Sequence, residues 1–211
     1  MRKENGIRTR SAYLLIMLAL LTILSLVFTG GASAQEGYTR TIERYPIPDV
    51  TLVNQEGAKV RLRDLLASDE PVLVDFIYTT CTTICPVLSA NFSNFQKKRA
   101  PAGRPVRFLS LSIDPDNDTP RAMKAYLKRY GAGPGWDFLT GTREDVVKVL
   151  KAWNAFTQNK MNHYPLILIK SPSDASWVRI YGMIGTSELM TEFEMLKKPQ
   201  KGAVEALREK P

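Results

Sequence analysis

The stretch VLVDFIYTTCTTICP, residues 72–86, changes structural character in its middle. Val72 to Tyr78 is a run of β-branched, aliphatic and aromatic residues, short enough for a strand buried inside a sheet. Thr79 and Thr80 end that run. From Ile84 onward the apolar residues switch period. Val87, Leu88, Phe92 and Phe95 fall on one face at 3.6-residue spacing, which predicts a helix over Ile84 to Arg99. Pro86 suits its first turn, where the missing N–H has no partner to lose. Both cysteines of the chain, Cys81 and Cys85, lie at this strand-to-helix junction.

Working outward, Arg107 to Ile113 reads as a second strand. Asp114-Pro115-Asp116-Asn117-Asp118 is a turn, with Asp118 or Thr119 as N-cap and Pro120 opening a helix that stops at Gly131. Trp136 to Leu139 is a short strand, and Thr142 caps a helix through Trp153 or Phe156. Leu166 to Ile169 is a buried strand. After a turn at Pro172-Ser173-Asp174, Trp177 to Tyr181 forms its hairpin partner. Thr186 caps a last helix. Upstream, Val50 to Val53 and Lys59 to Leu62 make a small hairpin. Residues 35–48 are polar, carry Pro46 and Pro48, and read as a linker. Strands separated by helices and a terminal hairpin imply one α/β domain with a mixed sheet, over residues 49–198, followed by a charged tail at 199–211.

Composition narrows the chemistry. The 211 residues are 44% hydrophobic and 24% charged, a globular balance. One histidine excludes a three-histidine zinc site, and two cysteines exclude a disulfide scaffold. Arg2, Lys3, Arg8 and Arg10 precede the apolar run Tyr13 to Phe28 and the small residues Ala32-Ser33-Ala34. Residues 1–34 therefore read as a secretory signal peptide, cut before Gln35; an uncleaved anchor is the alternative. Either way the domain is extracytoplasmic. The net charge of +8 falls to +5 without residues 1–34. Lys97-Lys98-Arg99 and Lys197-Lys198 are short clusters without aromatic neighbours, so nucleic-acid binding is not expected. A modest basic excess suits an acidic partner protein or proximity to an anionic membrane surface.

Cys81 and Cys85 are spaced C-x-x-x-C. On a helix this puts both thiols on one face, about 6 Å apart along the axis, near an N-terminal partial charge that favours thiolates. The pair can meet one metal ion or close a disulfide, and spacing alone does not choose. A purely structural disulfide would gain little from so short a loop. His163 precedes the strand Leu166 to Ile169. If that strand lies beside Val72 to Tyr78, its leading loop faces the cysteines. Two thiolates and an imidazole suit Cu(I) in a three-coordinate site and also accommodate Cu(II). Asp114 ends the neighbouring strand, where simple turn chemistry is the competing role. Asp75 is a carboxylate inside an apolar strand, either at a sheet edge or as a proton relay for the thiols. Met161 is a soft neighbour or a packing residue.

These residues resemble the SCO/SenC family, thioredoxin-like copper proteins of cytochrome c oxidase assembly. The resemblance covers about residues 45–197. It rests on the motif around Cys81, Cys85 and Pro86, on Leu-Ser-Ile-Asp114-Pro-Asp-Asn-Asp118-Thr-Pro120, and on His163. It implies a thioredoxin-like fold and copper held by Cys81, Cys85 and His163. Asn162-His163-Tyr164 departs from the family's usual Asp-His-Ser, and Ser171-Pro172-Ser173-Asp174 departs from its Asp-Pro-Asp/Glu-Gly turn. The implied function is a metallochaperone, expected as a monomer, that delivers copper to the CuA site of cytochrome c oxidase. The alternative is a thiol–disulfide oxidoreductase with Cys81 and Cys85 as the redox pair, acting on a copper-acceptor or another exported protein. The fold analogy also places a cis peptide at Tyr164–Pro165.

Overall fold

The structure, a computed structural model, describes residues 37–67, 69–100, 105–172 and 175–196. The signal peptide and the tail read from the sequence lie outside these residues. The strands are β1 (Tyr38–Glu43), β2 (Thr51–Asn54), β3 (Lys59–Arg61), β4 (Val72–Ile77), β5 (Arg107–Ser112), β6 (Trp136–Thr140), β7 (Leu166–Lys170) and β8 (Trp177–Gly182). The helices are α1 (Leu62–Leu66), α2 (Ile84–Arg99), α3 (Pro120–Arg129), α4 (Arg143–Ala152) and α5 (Thr186–Met195).

All eight strands join one sheet in the order β1-β8-β7-β4-β5-β6-β2-β3. Strands β4, β5 and β6 run parallel, as the intervening helices α2 and α3 require. Strand β7 pairs antiparallel with β4, and β8 antiparallel with β7. The expected mixed sheet is therefore present, with β4 in its interior.

All six residues of β4 are buried because both sheet faces are covered. Leu73 and Ile77 join one core with Leu88, Phe92 and Phe95 of α2, Tyr126 of α3 and Leu189 and Phe193 of α5. Val72, Val74 and Phe76 join the other, with Leu62 and Leu66 of α1 and Val146 and Val149 of α4. The continuous apolar run in the sequence is thus two interleaved faces, each packed on helices.

Several local expectations are corrected. The segment read as a linker contains β1, whose six residues pair antiparallel with β8 from Tyr38↔Gly182 to Glu43↔Trp177. Its polarity reflects an edge position, where alternate side chains meet water. It is anchored where Arg40 pairs with Glu192 at 2.6 Å and the Tyr38 hydroxyl donates to Glu192 at 3.1 Å. Val87 is exposed, since it lies off the face of α2 that buries Cys85, Leu88, Phe92 and Phe95. Thr119, rather than Asp118, caps α3, accepting from the Ala122 N–H at 3.3 Å. Gly185 caps α5, leaving Thr186 to donate to Asn91 at 2.8 Å.

Candidate metal centre

The antiparallel pairing of β7 with β4 places the start of one strand at the end of the other: Asp75 faces Ile167, whereas Val72 faces Lys170. The loop before β7, which carries His163, therefore sits beside the loop after β4, which carries Cys81. The Tyr164–Pro165 peptide is trans, contrary to the fold analogy. His163 has extended backbone (φ −70°, ψ 148°), and the Pro165 carbonyl already accepts from the Gly182 N–H at 2.9 Å. The chain thus enters the β7–β8 ladder directly.

Cys81 lies in the loop and Cys85 in the first turn of α2; both are buried and both are free thiols. The Nε2 of His163 lies 3.3 Å from the Cys85 sulfur and 4.0 Å from the Cys81 sulfur. The two sulfurs and one ring nitrogen all lie within 4.8 Å of one another. A trigonal ion with bonds of about 2.0–2.3 Å would hold its ligands roughly 3.5–4.0 Å apart. The donor set fits a soft ion with little rearrangement.

The other ring nitrogen of His163, Nδ1, donates to the Lys160 carbonyl at 2.6 Å. That bond selects the tautomer whose Nε2 lone pair faces the sulfurs. Burial depresses the His163 pKa, with the Lys160 carbonyl opposing it, so the ring is neutral and able to ligate. The two thiols differ. Burial pushes Cys81 up, but hydrogen bonds from the Cys85 N–H, the Thr83 hydroxyl and the Cys85 thiol outweigh it and bring it down to about 7. Burial and the bond to Cys81 raise the Cys85 thiol. One sulfur therefore ionises readily while its neighbour keeps a proton. That arrangement supports either stepwise metal ligation or nucleophilic thiol chemistry.

The surroundings brace both loops. The Tyr78 ring packs edge-on against the His163 ring, centroids 5.2 Å apart, and its hydroxyl donates to the Met161 sulfur at 3.4 Å. Met161 is 68% exposed, so it is not a packing residue. Asp118, almost wholly buried, accepts from the Thr79 N–H at 3.0 Å, the Thr79 hydroxyl at 2.6 Å and the Ser112 hydroxyl at 2.6 Å. It thereby ties the start of the cysteine loop to the end of β5. The sequence marks Asp118 as a turn residue, a candidate cap and part of the family motif, but not as a partner of Thr79, because nothing local reports a contact 39 residues away. Asp114 lies at the same end of β5, paired with Lys160 of the histidine loop.

Asp75 is not at an edge. It is fully buried in β4 on the face shared with Cys85 and Tyr126, and neither carboxylate oxygen has a hydrogen-bond partner. Burial pushes its pKa up to about 7.

The SCO1/SenC family model matches residues 44–190. The chain belongs to the SCO1/SenC family. A SCO1 protein homolog of Bacillus subtilis is 37% identical over 117 residues, 54% of this SCO1/SenC chain and 60% of that relative's length. The structure of BsSco, a Sco-family cytochrome c oxidase assembly protein with an identified disulfide switch, is similar at 28% identity. It aligns with a TM-score of 0.61 over 74% of this chain and 95% of that one. The copper-bound structure of ScoI from Bradyrhizobium japonicum gives a TM-score of 0.50 at 26% identity, covering 59% of this chain and 82% of that one. The SCO1/SenC fold of this chain is thioredoxin-like.

Proposed function

We propose that this protein is an exported metallochaperone that holds one copper ion between Cys81, Cys85 and His163 and delivers it to the CuA site of cytochrome c oxidase. The observation that carries the reading is the convergence of three soft or borderline donor atoms within 4.8 Å, with the bare Nε2 aimed at both sulfurs. Copper suits two thiolates and an imidazole better than a hard cation does. The copper-bound ScoI relative and the assembly role of BsSco support it. Export is supported by the basic start, apolar run and Ala32-Ser33-Ala34 of the sequence. Among the described residues, no helix is long and apolar enough to cross a membrane.

A second reading is favoured by one specific feature, the split between a Cys81 thiol lowered to about 7 and a raised Cys85. In a thiol–disulfide oxidoreductase, the Cys81 thiolate would attack a substrate disulfide and release one substrate thiolate. Cys85, losing its proton, would then resolve the mixed disulfide. The products are a Cys81–Cys85 disulfide and a substrate dithiol, two electrons having moved to the substrate. Titration of the reduced protein with Cu(I), beside H163A, C81S and C85S, separates the two. Stoichiometric binding that depends on all three residues supports the chaperone. Weak binding indifferent to His163, with intact disulfide exchange, supports the reductase.

A further inference from the structure

Lys160 makes two contacts that meet at the histidine. Its backbone carbonyl accepts the Nδ1–H of His163 at 2.6 Å and the His163 backbone N–H at 3.3 Å. Its ammonium pairs with the carboxylate of Asp114, 46 residues earlier, and lies 5.2 Å from the centroid of the Tyr78 ring. Asp114 is held in turn. Asn117 Nδ2 donates to both carboxylate oxygens, at 2.9 and 3.1 Å, and the Asp114 N–H donates to the Ser112 hydroxyl at 3.0 Å. Asp114 is 8% exposed, so its charge is largely withdrawn from water and needs a partner.

The element carrying Lys160 is a single three-residue 3-10 turn, Lys160–Asn162, capped by the Asn159 side chain and burying none of its residues. Such a turn has no core contacts to fix it and little intrinsic stability. Its fixed points are the contacts at Lys160 and the bond from Tyr78 to Met161. We propose that the Asp114–Lys160 ion pair is a latch that holds the His163 loop over the cysteines before the metal arrives. Asp114 and Lys160 are positioning residues: they touch no copper, but they set the place and tautomer of the imidazole that does. With the latch closed, the loop need not be ordered when metal binds, and that ordering cost is removed from the binding step. This inference rests on the copper-site reading above and names the residues behind its third ligand.

The test uses the reduced protein with Cu(I) alone, its affinity measured by competition with a chromogenic chelator, in wild type, K160M, K160R, D114N and K160M/D114N. Residues behind metal ligands typically cost about 10–100-fold in affinity when replaced. K160M and D114N are each expected to weaken Cu(I) binding by about 10-fold or more. The double variant should be no weaker than the worse single one, and K160R should recover most of the loss. Because the chain has one histidine, ¹⁵N-histidine labelling gives a single imidazole to follow without metal. Its Nδ1–H is expected to be slow to exchange in wild type and K160R, and fast in K160M and D114N. The Cys81–Cys85 reduction potential should be unchanged, and K160M/D114N, which leaves neither buried charge unpaired, should keep a near-wild-type unfolding midpoint while still losing affinity and Nδ1–H protection, which separates positioning from a general loss of structure. If K160M and D114N keep wild-type affinity and a protected Nδ1–H while H163A weakens binding, the latch is wrong and the copper site stands. If H163A also leaves affinity unchanged, the copper reading fails. The latch is then decided by the imidazole signal: loss of protection in K160M and D114N upholds it, and unchanged protection overturns it.

Discussion

The Nε2 of His163 stands 3.3 Å from the sulfur of Cys85, a residue 78 positions earlier, at the end of the β4–β7 pair where β4 finishes and β7 begins. The contact joins the lone histidine to the buried cysteine, and the Nδ1 bond to Lys160 points the ring. H163A should therefore lower Cu(I) affinity by more than the about 10–100-fold typical of residues behind the ligands. Its dithiol–disulfide equilibrium should stay near wild type. Chelator competition and redox titration of the same preparation check both halves.

Thiol reactivity should divide by residue. The thiolate is the nucleophile, and its fraction rises with pH, so alkylation of Cys81 should accelerate from pH 5 to 8 with a midpoint near its value of about 7. Cys85, raised by burial, should lag throughout that window. Mass spectrometry of iodoacetamide-treated protein reads the two sites separately, and C81S should lose the fast phase.

Asp75 should make stability fall as pH rises. Its folded pKa, pushed up to about 7, lies above the unfolded value of about 3.9. The folded state therefore holds its proton longer than the unfolded one. The stability linked to that proton is full below pH 4 and is lost as pH climbs through 7. Between pH 5 and 8 the loss is on the order of 3 kcal/mol, and D75N should flatten it. Urea unfolding of both proteins across that range gives the comparison.

Arg40 neutralises Glu192, which is 3% exposed in α5. R40A leaves that carboxylate with the Tyr38 hydroxyl but no paired cation among the described residues, and should cost about 1–3 kcal/mol, the buried-pair penalty being reduced because Arg40 is partly exposed. Copper affinity should not change, since β8 and β7 both lie between β1 and β4. A lower unfolding midpoint with intact Cu(I) binding is the expected pair of results.

Much of this architecture was legible because the signals are local. The run from Val72 to Tyr78 is buried on both faces, so it shows apolar residues at every position save Asp75. Leu88, Phe92 and Phe95 mark the buried side of α2. Turn chemistry at Asn54 to Gly57 and the stop at Gly131, whose φ is +63°, follow from backbone preference. Cys81 and Cys85 were visible as a pair because only three residues, Thr82 to Ile84, separate them.

Other features have no local signature. An edge strand such as β1 alternates toward water and reads as linker until β8 offers it hydrogen bonds. Val87 has the right chemistry and nearly the right spacing for the core, but the position of the sheet decides which part of α2 is covered. Asp118 looks like a cap and instead braces Thr79.

The sequence by itself determined the α/β domain, the buried central strand and the soft character of the donors, because periodicity and side-chain chemistry are properties of short segments. Only the tertiary structure decided that those donors meet. That depends on β7 lying next to β4 and running antiparallel to it, which brings the chain before Leu166 to the end of Ile77. Strand order and direction are set by packing across the whole sheet, and no spacing between Cys85 and His163 encodes them.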